Sequence, residues 1–565
     1  MTVRKAAVCA MTFVTISLLM LPQVMADAVE GSAPGTMWSK DCGGNARGYS
    51  VQQAMDGGYI IAGATHLWED MYLVKTDSSG NVQWHRTYGG SASECAYSVL
   101  QTSDGGYVLA GYTESYVTPG SARNVYIIKT DLNGELVWSK SYGGKNYAYA
   151  LSMDYTSDGG FILTGIALPY KPLGGGSSED VYLLKTDSNG NMEWDKIFED
   201  DSGPEEAWSV QQTSDGGYVI GGWTHGVGMN DFYLIKTDSS GNMQWDKTYG
   251  GSGNDQAYSV QQANDGGYVI TGHTDSFGGG TQAYLVKADS NGNMMWQKTY
   301  KGIETTYADS VQQTSDGGYV IAGATYELNK PGEIYLVRTN SNGNVLWGKT
   351  YGTGEASSFQ PTSDGGYIIL SGFVLLKTET DTIVSGTVTN GVLDSKSKSD
   401  TEVYVTGSGA VAVGKYSSTP ATPTFTAVGK YLDVLIDSAS GITELKIRFY
   451  YTDNDASLFD EASLKMYWWT GSEWVLCNPQ TLHIDAVNDY SGYIEVTAQV
   501  TGTTPTLNEL VGTPFGFGGS TRPIIQPVGG VVVPTNKLEI VTPYLALAGL
   551  VIAVSTVAVV KKRRD

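Results

Sequence analysis

The chain has 565 residues, with 72 Gly, 37 Tyr, 13 Trp and a formal net charge of −23. That length exceeds what one hydrophobic core organises, so it requires several domains or an internal repeat. The composition excludes a mainly helical or disordered chain. With cations spread along the repeats rather than clustered, until a basic run at the C-terminus, nucleic acid is not expected as a partner, because phosphate backbones reward clustered Lys and Arg.

At the N-terminus, Arg4 and Lys5 precede the apolar run from Ala6 to Leu21, and Val24-Met25-Ala26 supplies small or aliphatic residues at a cleavage site. Residues 1–26 therefore read as a secretory signal peptide. Cys42, Cys95 and Cys477 remain beyond it, an odd number. Cys42 and Cys95 fall in equivalent connections of adjacent repeats, a blade apart, so buried free thiols are expected rather than a disulfide.

Asp-Gly-Gly recurs at Asp56, Asp104, Asp158, Asp215, Asp265, Asp316 and Asp364. Each copy is preceded by a strand such as Ala257 to Gln262 and followed by one such as Gly267 to Gly272, and two more strands follow. Four strands in roughly 50 residues make a propeller blade. The fourth strand carries Trp38, Trp84, Trp138, Trp194, Trp245, Trp296 or Trp347, and Trp38 precedes the first Asp-Gly-Gly while the seventh repeat ends at Phe373 to Lys377 without one. The N-terminal strand is thus expected to complete the last blade and remove the open edge. The tryptophans read as inter-blade core. The predicted class is all-β: a seven-bladed β-propeller over 37–380.

The sequence Asp-Gly-Gly-Tyr, Gly-x-Thr, Lys-Thr-Asp-Ser-Asn-Gly-Asn, Trp and Tyr-Gly-Gly resembles the seven-bladed propeller repeats of archaeal and bacterial surface proteins. The resemblance covers about Met37 to Glu379. It implies architecture and a surface location, and it brings no catalytic motif.

From 381 to 519 the repeat is gone, but strand-like runs continue at 382–387, 402–406, 431–436, 444–451, 464–469, 473–477 and 493–500, which predicts a β-sandwich. The stretches Phe449 to Asp453 and Met466 to Trp474 resemble a module near the membrane end of archaeal surface proteins. A Pro/Gly-rich spacer spans 520–537. The uncharged stretch Ile540 to Val560 would be about 31 Å long as a helix, enough for a bilayer core. Lys561-Lys562-Arg563-Arg564 follows, so 538–560 is expected to cross the membrane once with 561–565 as a cytoplasmic tail and the rest outside.

The third-to-fourth-strand turns, such as Thr76 to Asn81, have oxygen-rich side chains that invite a weak calcium reading. They lack the third alternating carboxylate and the distal Glu of a calcium loop, and a hairpin in which Asp bonds the backbone and Gly takes positive φ is the preferred reading. No cofactor is expected. These turns are uniform, whereas the second-to-third-strand and blade-to-blade connections vary, and variable loops on a rigid scaffold are where function sits. That face offers Trp68, Tyr112, Tyr116, Tyr170, Trp223 and Tyr326, with His225 and His273. Its acids are Glu94, Glu205, Glu206, Asp255, Glu304 and Glu355. The site drawn from them comprises Trp68, Tyr112, Tyr116, Trp223, His225, His273, Glu94, Glu205, Glu206, Asp255 and Glu355, with cell-surface carbohydrate or protein as partner. A glycan-cleaving enzyme using these acids and a structural envelope component are the alternatives. Non-catalytic binding leads because no catalytic motif is present.

Overall fold

The computed structural model describes residues 33–518 apart from 45, 67–68, 144–146, 169–178, 199–203, 226–228, 303, 396–400, 416–426, 437–441, 453–462, 470–473, 485–489, 500–501, 504 and 507–512. The expected signal peptide, spacer, membrane segment and tail lie outside the described residues, as do Trp68 and Tyr170. Among the described residues, no helix is long and apolar enough to cross a membrane.

Seven antiparallel sheets of four strands each follow one another along the chain. In the fifth the strands are Asp255–Gln262, Tyr268–Thr274, Gln282–Ala288 and Met294–Tyr300. Its second and third strands are buried at every position, because neighbouring blades cover both faces of the sheet. The seventh sheet draws its outer strand from the other end of the repeat region. Thr36–Asp41 pairs with Val374–Thr378, and Trp38 lies opposite Lys377. First strands of successive sheets touch all the way round, the seventh sheet's meeting that of the first, so they line a central channel.

Three repeated sequence elements hold this ring. The first is Ser-Val-Gln-Gln in the channel-lining strands. Ser209 Oγ accepts a bond from Val260 N at 3.1 Å and Gln211 Oε1 one from Gln262 N at 2.6 Å, both in the next sheet. Ser358 and Gln360 of the seventh sheet accept from Val51 and Gln53 of the first, at 3.2 and 2.7 Å. These side chains satisfy inner-strand N–H groups between separate sheets, where no backbone ladder reaches.

The second element is the fourth-strand Trp. Trp245 packs on Tyr268 of the following sheet with ring centroids 5.7 Å apart at 63°, and Trp38, Trp84, Trp194, Trp296 and Trp347 repeat the contact with Tyr59, Tyr107, Tyr218, Tyr319 and Tyr367. Trp38, Trp84, Trp138, Trp194, Trp245 and Trp296 also lie over the turn glycine of the next blade, where a Cβ on Gly292 would come within 2.7 Å of Trp245. Those turns are uniform because each one receives a tryptophan. Their Asp is consumed locally, since Asp77 accepts from Ser79 N, Asn81 N and Asn81 Nδ2 at 2.8 to 3.0 Å. Among the described residues, no group of three potential metal-binding side chains exists.

The third element pairs the Asp of Asp-Gly-Gly with a buried third-strand cation. Lys75–Asp56, Lys185–Asp158, Lys236–Asp215 and Lys287–Asp265 lie at 2.8 to 2.9 Å, and Lys129–Asp104 and Lys377–Asp364 at 3.0 Å. The sixth sheet substitutes Arg338, which reaches both Asp316 at 2.5 Å and Asp381 at 3.4 Å. Asp381 also accepts from Tyr367 Oη at 2.5 Å, and Asp316 Oδ2 accepts from Ser385 N and Oγ. The bidentate guanidinium suits two carboxylates where an ammonium suits one. This cluster ties the chain leaving the repeats to the turn end of the ring.

Beyond it, nine strands form one continuous sheet, ordered 474–476, 465–469, 513–518, 427–436, 401–415, 442–451, 492–499 and 480–483, with 384–394 paired to 401–415. Thr401–Lys415 is long enough to pair with Ile442–Tyr451 through its first half and Ala427–Ile436 through its second. Both ends of the sheet contribute to one core, in which Met466 and Trp468 join Ile447, Phe449, Ile494 and Val496. Ala412 packs with Val320, Tyr367 and Ile383, so this sheet meets the sixth and seventh blades. The short strands Gln480–His483 and Thr513–Gly518 were not anticipated from the sequence. Cys42, Cys95 and Cys477 are free and buried. Burial raises the first two thiols to about 11 and 12.

Candidate functional site at the channel mouth

Each of the first six sheets has a register shift between its first and second strands, leaving Tyr49, Tyr97, Leu151, Trp208, Tyr258 and Asp309 unpaired in turn. A bulge re-aims its side chain out of the ladder. Here the bulge residues of adjacent sheets meet one another, Tyr49 with Tyr97 at 4.9 Å and Trp208 with Tyr258 at 5.3 Å, which places them at the channel. They sit toward the start of the first strand, at the variable-loop end.

On one side, aromatic faces are already occupied by the chain's own cations. Arg123 lies 3.8 Å from the Tyr112 ring and 4.5 Å from Tyr147, and it pairs with Glu114 at 2.5 Å. Arg47 lies over Tyr49 at 5.6 Å. Tyr97 and Tyr149 complete this half.

The other side carries acids instead. Glu206 Oε2 accepts from Trp208 Nε1 at 2.9 Å, and Glu206 lies opposite Trp223 in the strand pairing. Burial first, then the adjoining Glu179, raises the Glu206 carboxyl, against the two indoles. Asp309 is pushed up to about 7 by burial and by Glu355. Tyr258 lies between, within electrostatic reach of both Asp309 and Glu206. His273 stacks on Tyr258 at 5.7 Å and meets the edge of Tyr307 at 5.0 Å, and burial lowers its pKa. Tyr307 packs on Tyr326, whose hydroxyl donates to Glu355.

Tyr112, Trp223, His273, Glu206 and Glu355 are thus brought together around the mouth, and the other expected residues are not. Glu94 is buried and accepts from Thr113 Oγ1 at 2.6 Å, Ser115 N and Gly90 N. Asp255 is buried and accepts from Ser276 Oγ at 2.6 Å and Gly251 N at 2.8 Å. Glu205 is buried beside Thr224 Oγ1 at 3.4 Å. These three acids brace loops rather than face the channel, and in the fourth sheet it is the next residue, Glu206, that meets the mouth. His225 bonds Asn230 within its own hairpin, Tyr116 donates to Gly89 O on the outer loop, and Glu304 accepts from Leu328 N.

Sequence reasoning missed Trp208, Tyr258, Tyr149, Tyr307, Asp309, Glu179 and Arg123. A signal existed in part: a large or acidic residue precedes Ser in Tyr97-Ser98, Trp208-Ser209, Tyr258-Ser259 and Asp309-Ser310. The bulge that makes this position special is invisible in the sequence.

The arrangement defines a β-propeller repeat protein with a built channel mouth. Residues 314–345 match a family described as "Domain of unknown function (DUF5122) beta-propeller". No curated protein matches. Among solved structures, the chain is similar to the WD40 β-propeller domain of Doa1, at 15% identity and a TM-score of 0.40, covering 61% of this chain and 96% of that one. It is also similar to a protein of unknown function from Dyadobacter fermentans, at 14% identity and a TM-score of 0.34, covering 50% and 93%. A third is Chaetomium thermophilum Sqt1 bound to the N-terminus of ribosomal protein L10, at 9% identity and a TM-score of 0.37, covering 62% and 100%.

Proposed function

We propose that this chain is an exported, membrane-tethered binding module whose seven-bladed propeller engages a partner protein through its channel mouth, without catalysis. The observation that carries the reading is the arc from Glu206 through Trp208, Tyr258 and His273 to Glu355, which lies at the variable-loop end, away from the sheet that packs near Asp316. Aromatic bodies with polar tips are the groups that dominate binding energy at interfaces. A surface carbohydrate is the second reading, favoured by the half-buried Trp208 and Tyr258, whose faces suit sugar stacking.

An enzyme reading fits less well. Glycosidase carboxyls flank the scissile bond as a pair, whereas the Glu206 carboxyl is engaged by Trp208 Nε1 at 2.9 Å and the Glu355 carboxyl by the Tyr326 hydroxyl. Peptide and glycan arrays with product analysis test the proposal. Retention without product, lost in Trp223→Ala, is expected, and turnover abolished by one carboxylate change would overturn it. For the tether, truncation at Pro534 should release protein into the medium, and continued membrane association would refute that part.

A further inference from the structure

The two halves of the channel mouth differ in one respect that points to a ligand. Around the first three blades the aromatic faces are covered by the guanidinium groups of Arg47 and Arg123, and Arg123 has a carboxylate partner in Glu114. Around the fourth to seventh blades the equivalent positions hold Trp223 and His273 in place of Tyr112, and Glu206 in place of Cys95. The aromatic surface and the carboxylates are both present there. Among the described residues, neither Glu206, Glu179, Asp309 nor Glu355 has a Lys or Arg within ion-pair distance.

Partly desolvated carboxylates are costly without a cation, and a cation held over an aromatic face gains further from the ring quadrupole. Arg123 on Tyr112 and Tyr147, bound to Glu114, is the internal template for the arrangement that the other half lacks. A second observation is His273, 5% exposed, whose Nδ1 has no partner among the described residues, while Nε2 faces Asn254 Nδ2 at 3.4 Å. Between Tyr258 and Tyr307, inside the arc, His273 thus holds a ring nitrogen without a partner among the described residues. The acids form two stations, Glu206 bonded by Trp208 and Glu355 bonded by Tyr326, joined through the contacts of Tyr258, His273 and Tyr307, with Asp309 at the bulge of the sixth sheet.

We infer that the mouth binds a basic polypeptide segment, two of whose Lys or Arg side chains take the places over Trp208 and Tyr258 and beside Tyr307, paired to the two carboxyl stations. A peptide supplies two cations on one chain, one for each station, which a small amine does not. The net charge of −23 favours such a partner at long range. The inference rests on the binding function proposed above and specifies its partner.

The test titrates the full chain at physiological salt with acetyl-Arg-Gly-Arg-amide, its lysine counterpart and its citrulline counterpart, which keeps shape and removes charge. Calorimetry and quenching of tryptophan emission report binding. Saturable binding of the two cationic peptides is expected, at least tenfold weaker for the citrulline peptide. The same loss is expected in Glu206→Gln and Asp309→Asn, with little change in Glu304→Gln, an exposed acid outside the arc that controls for overall charge. Unfolding midpoints no lower than the parent's exclude misfolding, and Trp208→Phe serves as a further variant that keeps an aromatic face but removes the donor to Glu206. Equal binding of the citrulline peptide, undiminished binding in well-folded Glu206→Gln, or the same response to calcium chloride alone would overturn the inference. If the cationic peptides fail while another protein or a glycan binds in a Trp223-dependent way, this inference falls and the binding function stands. If nothing binds, both fall.

Discussion

Replacing Gly292 by Ala separates two costs that every blade turn combines. Gly292 has φ +77°, and a Cβ there would lie 2.7 Å from Cζ3 and 3.0 Å from Cη2 of Trp245. Gly266, in the Asp-Gly-Gly turn of the same sheet, has φ +81° with nothing within 4 Å of its Cβ position. The left-handed conformation costs a non-Gly residue about 1–2 kcal/mol, reduced by about 0.4–1 kcal/mol because Ala also restricts the unfolded chain. Gly266→Ala should therefore destabilise by about 1 kcal/mol. Gly292→Ala adds overpacking of about 1–3 kcal/mol, since the indole is confined between the turn and Tyr268. Guanidinium unfolding of both variants, followed by far-UV dichroism and tryptophan emission, measures the difference, and only Gly292→Ala should also shift the native emission. Equal losses in the two variants would refute the claim that the turns are uniform because they receive the preceding blade's tryptophan.

Three further outcomes follow from the ionisable groups. Arg338→Lys should keep the Asp316 pair and lose Asp381, for about 1.5–3 kcal/mol, and Arg338→Met should cost about 3–5 kcal/mol by stranding both carboxylates, as ranked by denaturation. Burial would raise the Asp316 carboxyl, but Arg338, Thr314 and Ser385 outweigh it and hold it at about 2. Because that pKa is depressed, its stabilisation is present above the unfolded value near 4 and is lost as pH falls toward 2, so acid unfolding of the parent should steepen in that window and flatten in Arg338→Met. Asp309 is displaced upward, to about 7, so its ionisation destabilises the fold as pH rises from about 4 to 7. Asp309→Asn should melt higher than the parent at pH 8 and show no such gain at pH 4. Cys42 and Cys95, raised to about 11 and 12, should not react with a disulfide reagent at pH 8 until the protein unfolds, and fast labelling of the native protein would contradict their burial.

The blade repeat and the closing role of the strand around Trp38 were legible in the residues because they follow from local rules. Strand ladders, hairpin turns and apolar runs are decided by neighbours in sequence, and an unpaired Trp strand at one end with a missing one at the other admits a simple pairing. The turn Asp was legible too, since the donors it accepts from lie within four residues. What only tertiary structure decided is which acids and aromatics share the channel. Glu205 and Glu206 are adjacent in sequence, yet one is buried against Thr224 and the other meets Trp208 at the mouth. Successive strand residues point to opposite faces, so a cluster of acids in the sequence is divided in space. The bulges at Trp208, Tyr258 and Asp309 add a one-residue shift that composition and spacing do not reveal. Asp309 and Glu355 are brought near one another where the sixth sheet's first strand meets the connection to the seventh, and the Arg338 to Asp381 contact is made by the chain leaving the last blade. Such contacts join residues far apart in the chain, and the closure of the ring, rather than any local preference, sets their distances.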